Sequence, residues 1–273
     1  MKTKPDCNLY YTKNKQEFKK LIDGKRIVIC GPSKHLEKTN NSQLIDNYCT
    51  VVRINRCHRL INDHKSYGSR TDILYHSGDQ SSYYGEKITQ QYLNEIKYFN
   101  ICFPKMKKKE SFTFEEGTET FHNSLSENIL SKCVSLDKKY YIELEKKIGC
   151  RPNTGILTII DILENYQPKE VYITGITFGK SGISKLYRDY GNLQPIDEEK
   201  FIHSIDTRAG YPGRHNLYLM FLYLKKLFEK FSNIVVLDEL LKKIMNFDIK
   251  FYNNNLNLND EKTFHNFIYS LKL

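Results

Sequence analysis

The chain has 273 residues, with 42 Lys and Arg against 32 Asp and Glu, a formal charge of +10. Apolar residues make up 40% and aromatics 13%, enough to pack a core, which excludes a wholly disordered chain. No apolar run approaches the roughly 18–20 residues of a membrane-spanning helix, and the polar start Met1 to Asp6 lacks the apolar stretch of a signal peptide, so the expectation is a soluble, cytoplasmic protein.

The length lies near the upper limit of one core. It predicts a single domain over 1–273, with its core at about 24–240 and a C-terminal extension at about 241–273. The positive charge fits nucleic acid, an anionic membrane surface, or a nucleotide or acidic-sugar ligand. Lysines scattered among Asn, Ile and Tyr also fit a compositional bias with no binding role. Lys105, Lys107, Lys108 and Lys109 are concentrated, but without the aromatic interleaving of a single-strand platform. The seven cysteines form no CxxC pair and no zinc spacing. Cys30, Cys49 and Cys102 sit in or beside apolar runs, where a thiol acts as a small buried hydrophobe.

In chain order, Arg26 to Cys30 (RIVIC) is a β-branched run that stops at Gly31-Pro32-Ser33, the pattern of a buried parallel strand ending in a turn. Further strands are expected at Thr50 to Asn55, Thr71 to His76, Tyr98 to Phe103, Glu170 to Gly175 and Asn233 to Leu237. Helical spacing covers Thr154 to Tyr166 and Asn216 to Phe231, the latter with lysines late in the helix that suit its dipole. Alternating strands and helices predict an α/β fold, a single Rossmann-like domain with a mostly parallel sheet. The stretches 104–135 and 177–212 read as irregular, and the tail from Asn253 as a loosely attached extension.

Five places could carry chemistry. The turn Gly31-Pro32-Ser33 and the following Lys34-His35-Leu36 lie past a strand, where small residues let backbone N–H groups approach a phosphate; an ordinary turn looks the same. Asn55 ends the second strand, as a ligand contact or a turn former. Asn153 or Thr154, followed by Gly155, opens an apolar helix whose free N–H groups make an anion site or merely receive a cap. His215 enters the long helix, where the dipole disfavours its charged form and suits a general base. Tyr187 and Tyr190 stand in a loop, with phenols able to hydrogen-bond a departing phosphate. There is no Asp-x-Asp, GxSxG, HExxH or kinase signature.

Taken in order, these segments resemble the sialyltransferases, both the animal type with sialylmotifs and the shorter bacterial type. RIVICGPSKHL, LIDNYCTVVRIN and YGSRT follow the large motif, and RPNTGILTIIDIL with EVYITGITF follows the small one. The third motif, H-Y-W-E, falls on Leu186 to Asp189, and the very small motif on His215, so the likeness spans roughly 26–220. Pro32 replaces an asparagine of the pattern, Leu186 a histidine, Asp189 a glutamate and Met220 the animal glutamate, which bacterial enzymes also lack.

The resemblance implies a variant of the glycosyltransferase A-type fold with irregular acceptor-side loops. It implies an inverting enzyme that needs no metal or other cofactor. The donor would be a CMP-activated sugar carrying sialic acid or a related ulosonic acid, and the acceptor an oligosaccharide or glycolipid, with peripheral contact to an anionic membrane as a further partner and no nucleic acid. Gly31 and Ser33 would lie along the nucleotide, Asn55 at its phosphate or the donor sugar, and Asn153, Thr154 and Gly155 on the cytidine and ribose side. Tyr187, with Tyr190 as second candidate, would stabilise the departing CMP, and His215 would be the general base. Two other readings stay open: a non-catalytic nucleotide- or carbohydrate-binding relative, and a nucleic-acid-binding α/β protein.

Overall fold

The computed structural model describes residues 7–77, 96–101, 131–180 and 215–247, and in the tail 263–264, 266–268 and 270–271. Helix α1 (Cys7–Ile22) precedes strand β1 (Arg26–Cys30); α2 (Ser42–Asp46) leads to β2 (Thr50–Ile54), a 3-10 helix (Asn55–Asn62) and the single turn α3 (His64–Tyr67). Strands β3 (Ile73–His76), β4 (Tyr98–Ile101) and β5 (Cys133–Ser135) follow, then helices α4 (Lys138–Ile148) and α5 (Thr154–Asn165). Strand β6 (Glu170–Thr174), helix α6 (Leu217–Lys230), strand β7 (Val235–Leu237) and helix α7 (Glu239–Met245) complete the core.

All seven strands form one parallel sheet in the order β5-β4-β3-β2-β1-β6-β7. The expected α/β architecture is therefore present. Strand β2 is buried along its whole length and β1 from Ile27 on, as the unbroken apolar runs require of strands covered on both faces. Six strands coincide with runs read from the sequence. The seventh, β5, lies inside the stretch expected to be irregular: three residues carry no readable period, and pairing of Asn100 with Val134 makes them a strand.

Helix α5 explains why TGILTIIDILEN is apolar almost all round. Its first ten residues are buried, because the helix packs under β2 and β3 with α6 laid over it. Helix α1 is a second departure, a helix ahead of β1 where the sequence suggests only a polar start. Its inner end sends Phe18 and Ile22 fully into the core, Phe18 meeting the rings of Tyr75, Tyr98 and Tyr166.

The tail also departs from expectation. Phe264 and Ile268 are buried, and Phe264 lies 4.5 Å ring to ring from Phe221 of α6, so this part of the tail closes the same core. Cys30, Cys57, Cys133 and Cys150 are buried, whereas Cys49 is exposed, because it lies in the turn ahead of β2 and not in the strand. Among the described residues no helix is long and apolar enough to cross a membrane.

One buried carboxylate ties α5 to the sheet. Asp161 accepts from Tyr75 OH of β3 at 2.7 Å, Asn100 Nδ2 of β4 at 3.2 Å and Asn165 Nδ2 at 2.7 Å. Burial raises its pKa above the ordinary value, against the lowering effect of these donors. Asp161→Ala removes the shared acceptor and strands buried polar groups, each costing about 1–3 kcal/mol. Urea denaturation is expected to show a loss of about 3 kcal/mol; a loss under about 1 kcal/mol would show that the cluster relaxes without it.

Candidate active site

The strand order reverses at β1. From there the chain builds outward through β2 to β5 on one side, then returns to place β6 and β7 on the other. Open α/β sheets bind ligands outside the carboxyl ends of the strands at such a switch point. Here Gly31 follows β1 and Gly175 follows β6. Gly31 N–H donates to Thr174 O at 2.8 Å, and Ser33 N–H to Gly175 O at 3.1 Å. A Cβ on Gly31 would collide with the Gly175 carbonyl, and one on Gly175 would lie 2.7 Å from Gly31 O. Gly175 also has φ +71, in the left-handed region that favours glycine. The two glycines let the loops after β1 and β6 cross in contact.

Behind that crossing lies a polar chain. Ser33 is buried, with Oγ 2.9 Å from His35 Nδ1 and 3.2 Å from Thr177 Oγ1. His35 Nε2 lies 3.4 Å from Asp238 Oδ2. Asp238 follows β7, accepts from Thr174 Oγ1 at 3.0 Å and Gly175 N–H at 2.9 Å, and caps α7 through Leu241 N–H at 2.8 Å. Burial alone would raise its carboxyl, but the bonds from His35, Leu241 and Gly175 outweigh that and hold it below the usual carboxylate value. Because the folded value is depressed, Asp238 contributes stability at neutral pH that is lost as the pH falls through that value. Ser33 is thus a support of the loop as well as a member of it.

The second half of the site is the start of α5. Asn153 is the N-cap, its Oδ1 accepting from Ile156 N–H at 3.0 Å, which decides between the two residues the sequence left open. Thr154 Oγ1 lies 3.3 Å from Asn55 Nδ2, while Asn55 Oδ1 accepts from Ser77 N–H at 2.9 Å. Asn55 has φ +44, a conformation asparagine tolerates better than most residues. Its side chain therefore stitches the ends of β2 and β3 to α5. Gly155 is small because a Cβ there would lie 3.1 Å from Ile54 Cδ1; Ile176, after β6, lies close to both Gly155 and Gly31 and joins the two halves.

His215 stands just outside α6, whose N-cap is Asn216. Its Nδ1 is 2.8 Å from the Arg151 carbonyl, an acceptor only, so Nδ1 carries the proton and Nε2 keeps its lone pair. Burial lowers the pKa of the imidazole, the bond to Arg151 O opposes this, and the Arg151 charge lowers it further; the net direction is downward. The neutral ring is the form a general base needs. Met220, one turn into α6, places Sδ 3.4 Å from Asn153 N, so His215 and the α5 cap are fastened together.

The structure brings Gly31, Ser33, Asn55, Asn153, Thr154, Gly155 and His215 to one edge of the sheet. Tyr187 and Tyr190, and the third-motif stretch around them, lie outside the described residues. The sequence reading named no role for Arg53, Tyr67, Asp238 or Ile176. Arg53 is wholly buried, donating from Nε to Arg70 O at 3.1 Å and Thr71 Oγ1 at 3.0 Å and from Nη2 to Tyr67 O. Tyr67 OH in turn donates to Ser33 O at 3.0 Å. The signal for Arg53 was a charged residue inside an otherwise apolar strand. For Asp238 it was the acid directly after NIVVL.

This edge puts paired glycines at a strand-order switch and a capped helix start beside His215, within a parallel α/β sheet. No protein-family model matches the sequence, and no curated protein matches it. Among solved structures, a mammalian sialyltransferase in complex with Gal-beta-1-3GalNAc-ortho-nitrophenol is 14% identical, with 87% of this chain and 80% of that one covered at a TM-score of 0.48. A second structure of a mammalian sialyltransferase gives 13% identity, the same coverage and the same TM-score. An alpha-2,3-sialyltransferase from Campylobacter jejuni in apo form gives 16%, 81% and 79% coverage and 0.46. Likenesses this distant do not assign chemistry, which has to come from the residues.

Proposed function

We propose that this protein is an inverting glycosyltransferase that moves an acidic sugar, sialic acid or a related ulosonic acid, from a CMP-sugar to a glycan hydroxyl without a metal. The observation that carries the reading is His215. Its Nδ1 is fixed on the Arg151 carbonyl, two residues ahead of the Asn153 cap, which makes Nε2 the unprotonated nitrogen that a base requires. The donor class is supported by the sialyltransferase-like motifs, since GPS, VVRIN, PNTG and His215 follow one another in the order that the resemblance requires.

In this reading Nε2 of His215 takes the proton of the acceptor hydroxyl as its oxygen attacks the anomeric carbon. The new carbon–oxygen bond forms opposite the breaking bond to phosphate, and the electron pair leaves with CMP. Tyr187, with Tyr190 as second candidate, hydrogen-bonds the departing phosphate. Gly31 and Ser33 lie along the nucleotide as shape and not as donors, since their N–H groups are bonded to Thr174 O and Gly175 O and Ser33 Oγ meets His35 and Thr177. Asn55, Asn153, Thr154 and Gly155 form the wall on the nucleotide and donor-sugar side. An oligosaccharide or glycolipid acceptor would enter from the loops beyond the sheet.

A thermal-shift series with CMP, CDP, UMP, UDP and GDP tests the donor class. CMP is expected to raise Tm most, and transfer from a CMP-sugar to survive EDTA. A shift selective for UDP or GDP, or transfer abolished by EDTA and restored by a divalent cation, would sink this reading. Binding of CMP with no turnover across a donor panel would leave a non-catalytic relative.

A further inference from the structure

Two arginines at the carboxyl end of β2 are buried with no acidic partner among the described residues. Arg53 is bonded through Nε and Nη2 to carbonyl and hydroxyl oxygens, and only its Nη1 is buried without a partner. Arg56 makes no such bonds among the described residues. It is only 5% exposed, its Nε is buried with no hydrogen-bond partner, and among the described residues it enters no ion pair or hydrogen bond. A guanidinium cannot shed its proton at any physiological pH. Burying one unpaired costs several kcal/mol, a cost a fold otherwise meets with a carboxylate or a set of carbonyls.

Arg56 stands at the carboxyl edge of the sheet, and no described residue partners it. It follows Asn55, whose carboxamide reaches Thr154 at the start of α5, and it occupies the first turn of the 3-10 helix Asn55–Asn62 at the carboxyl edge of the sheet. That edge is where an open α/β sheet takes its ligand. The planar fork of an arginine matches two oxygens of a carboxylate or phosphate. We infer that Arg56 is an oxyanion-binding group of the donor subsite, taking a carboxylate or phosphate oxygen pair of the bound sugar nucleotide. The inference rests on the donor reading above.

Calorimetry on the full chain tests it, with CMP, cytidine, a CMP-sialic acid and inorganic phosphate as probes, against wild type, Arg56→Met and Arg56→Lys. Removing one partner of a buried charge pair costs at least about 2 kcal/mol, so Arg56→Met is expected to lose roughly thirtyfold in affinity. If phosphate is the partner, the loss appears with CMP and not with cytidine. If the sugar carboxylate is the partner, CMP affinity stays and the loss appears with the CMP-sialic acid alone. Arg56→Lys, which keeps charge but not the fork, is expected to lose less. The unliganded Arg56→Met protein is expected to melt no lower than wild type, because an apolar side chain of similar volume replaces an unpaired charge. A structural role predicts a lower Tm with affinities unchanged, and that result overturns the inference. Wild-type affinity for every probe in the Met variant overturns it too. Failure of wild type to bind CMP, together with an Arg56-dependent response to inorganic phosphate, would instead remove the CMP reading and leave Arg56 as an oxyanion site.

Discussion

His215→Ala is expected to lower kcat/KM for sugar transfer by about 10²–10⁴, the range that a positioned general base contributes. The fold should survive, because the substitution removes one hydrogen bond, from Nδ1 to the Arg151 carbonyl, worth about 1 kcal/mol. CMP should raise the Tm of the variant as it does that of wild type, since the histidine acts on the acceptor. Wild-type turnover in His215→Ala would exclude the residue as the base. The pH profile supplies a second reading. A base must be unprotonated to act, and burial lowers the His215 value below the 6.5 of an ordinary histidine. The acid limb of kcat/KM is therefore expected below pH 6.5, with activity held through the range where an exposed histidine would already be charged. A limb at or above that value would mean that burial is not setting the titration.

The second large effect is on the fold. Gly31→Ala pushes a methyl group into the Gly175 carbonyl and onto Ile176 Cγ1, at 2.7 Å, and neither backbone can rotate aside, because Gly31 N–H is bonded to Thr174 O. Overpacking costs about 1–3 kcal/mol where side chains can adjust. With backbone on the far side, at least about 3 kcal/mol is expected, a large part of the roughly 5–15 kcal/mol that holds a domain. Gly24→Ala is the control. It has φ +67 but nothing within 4 Å, so only the left-handed backbone cost of about 1–2 kcal/mol remains. Equal losses in urea denaturation for the two variants would show that the β1 and β6 loops do not cross in contact.

How much of this could be read in advance differs by element. RIVIC, TVVRI and EVYIT declare themselves because strands covered on both faces read as nearly continuous apolar runs, Arg53 being the buried exception. Helix α5 was legible for the same reason, but its cap stayed open between Asn153 and Thr154 until the bond from Ile156 N–H to Asn153 Oδ1 decided it. Strand β5 was not legible, since three residues show no period, nor was α1, whose Lys-rich sequence hides Phe18 and Ile22. Phe264 looked like part of an Asn-rich tail, and only its packing on Phe221 makes it core.

The sequence by itself determined the α/β class, the strand ends that carry GPS and VVRIN, and a histidine ahead of the long helix, because period, turn residues and caps are local properties. Only the tertiary structure decided which of these residues meet. Gly31 needs no side chain because Gly175, 144 positions later in the chain, lies against it. Asn55 bridges Ser77 and Thr154, and Ser33 leans on His35 toward Asp238. Arg56 is one charge among 42 in the sequence and becomes distinctive only when the fold buries it without a partner. Such pairings depend on strand order and burial, which no local pattern of residues encodes.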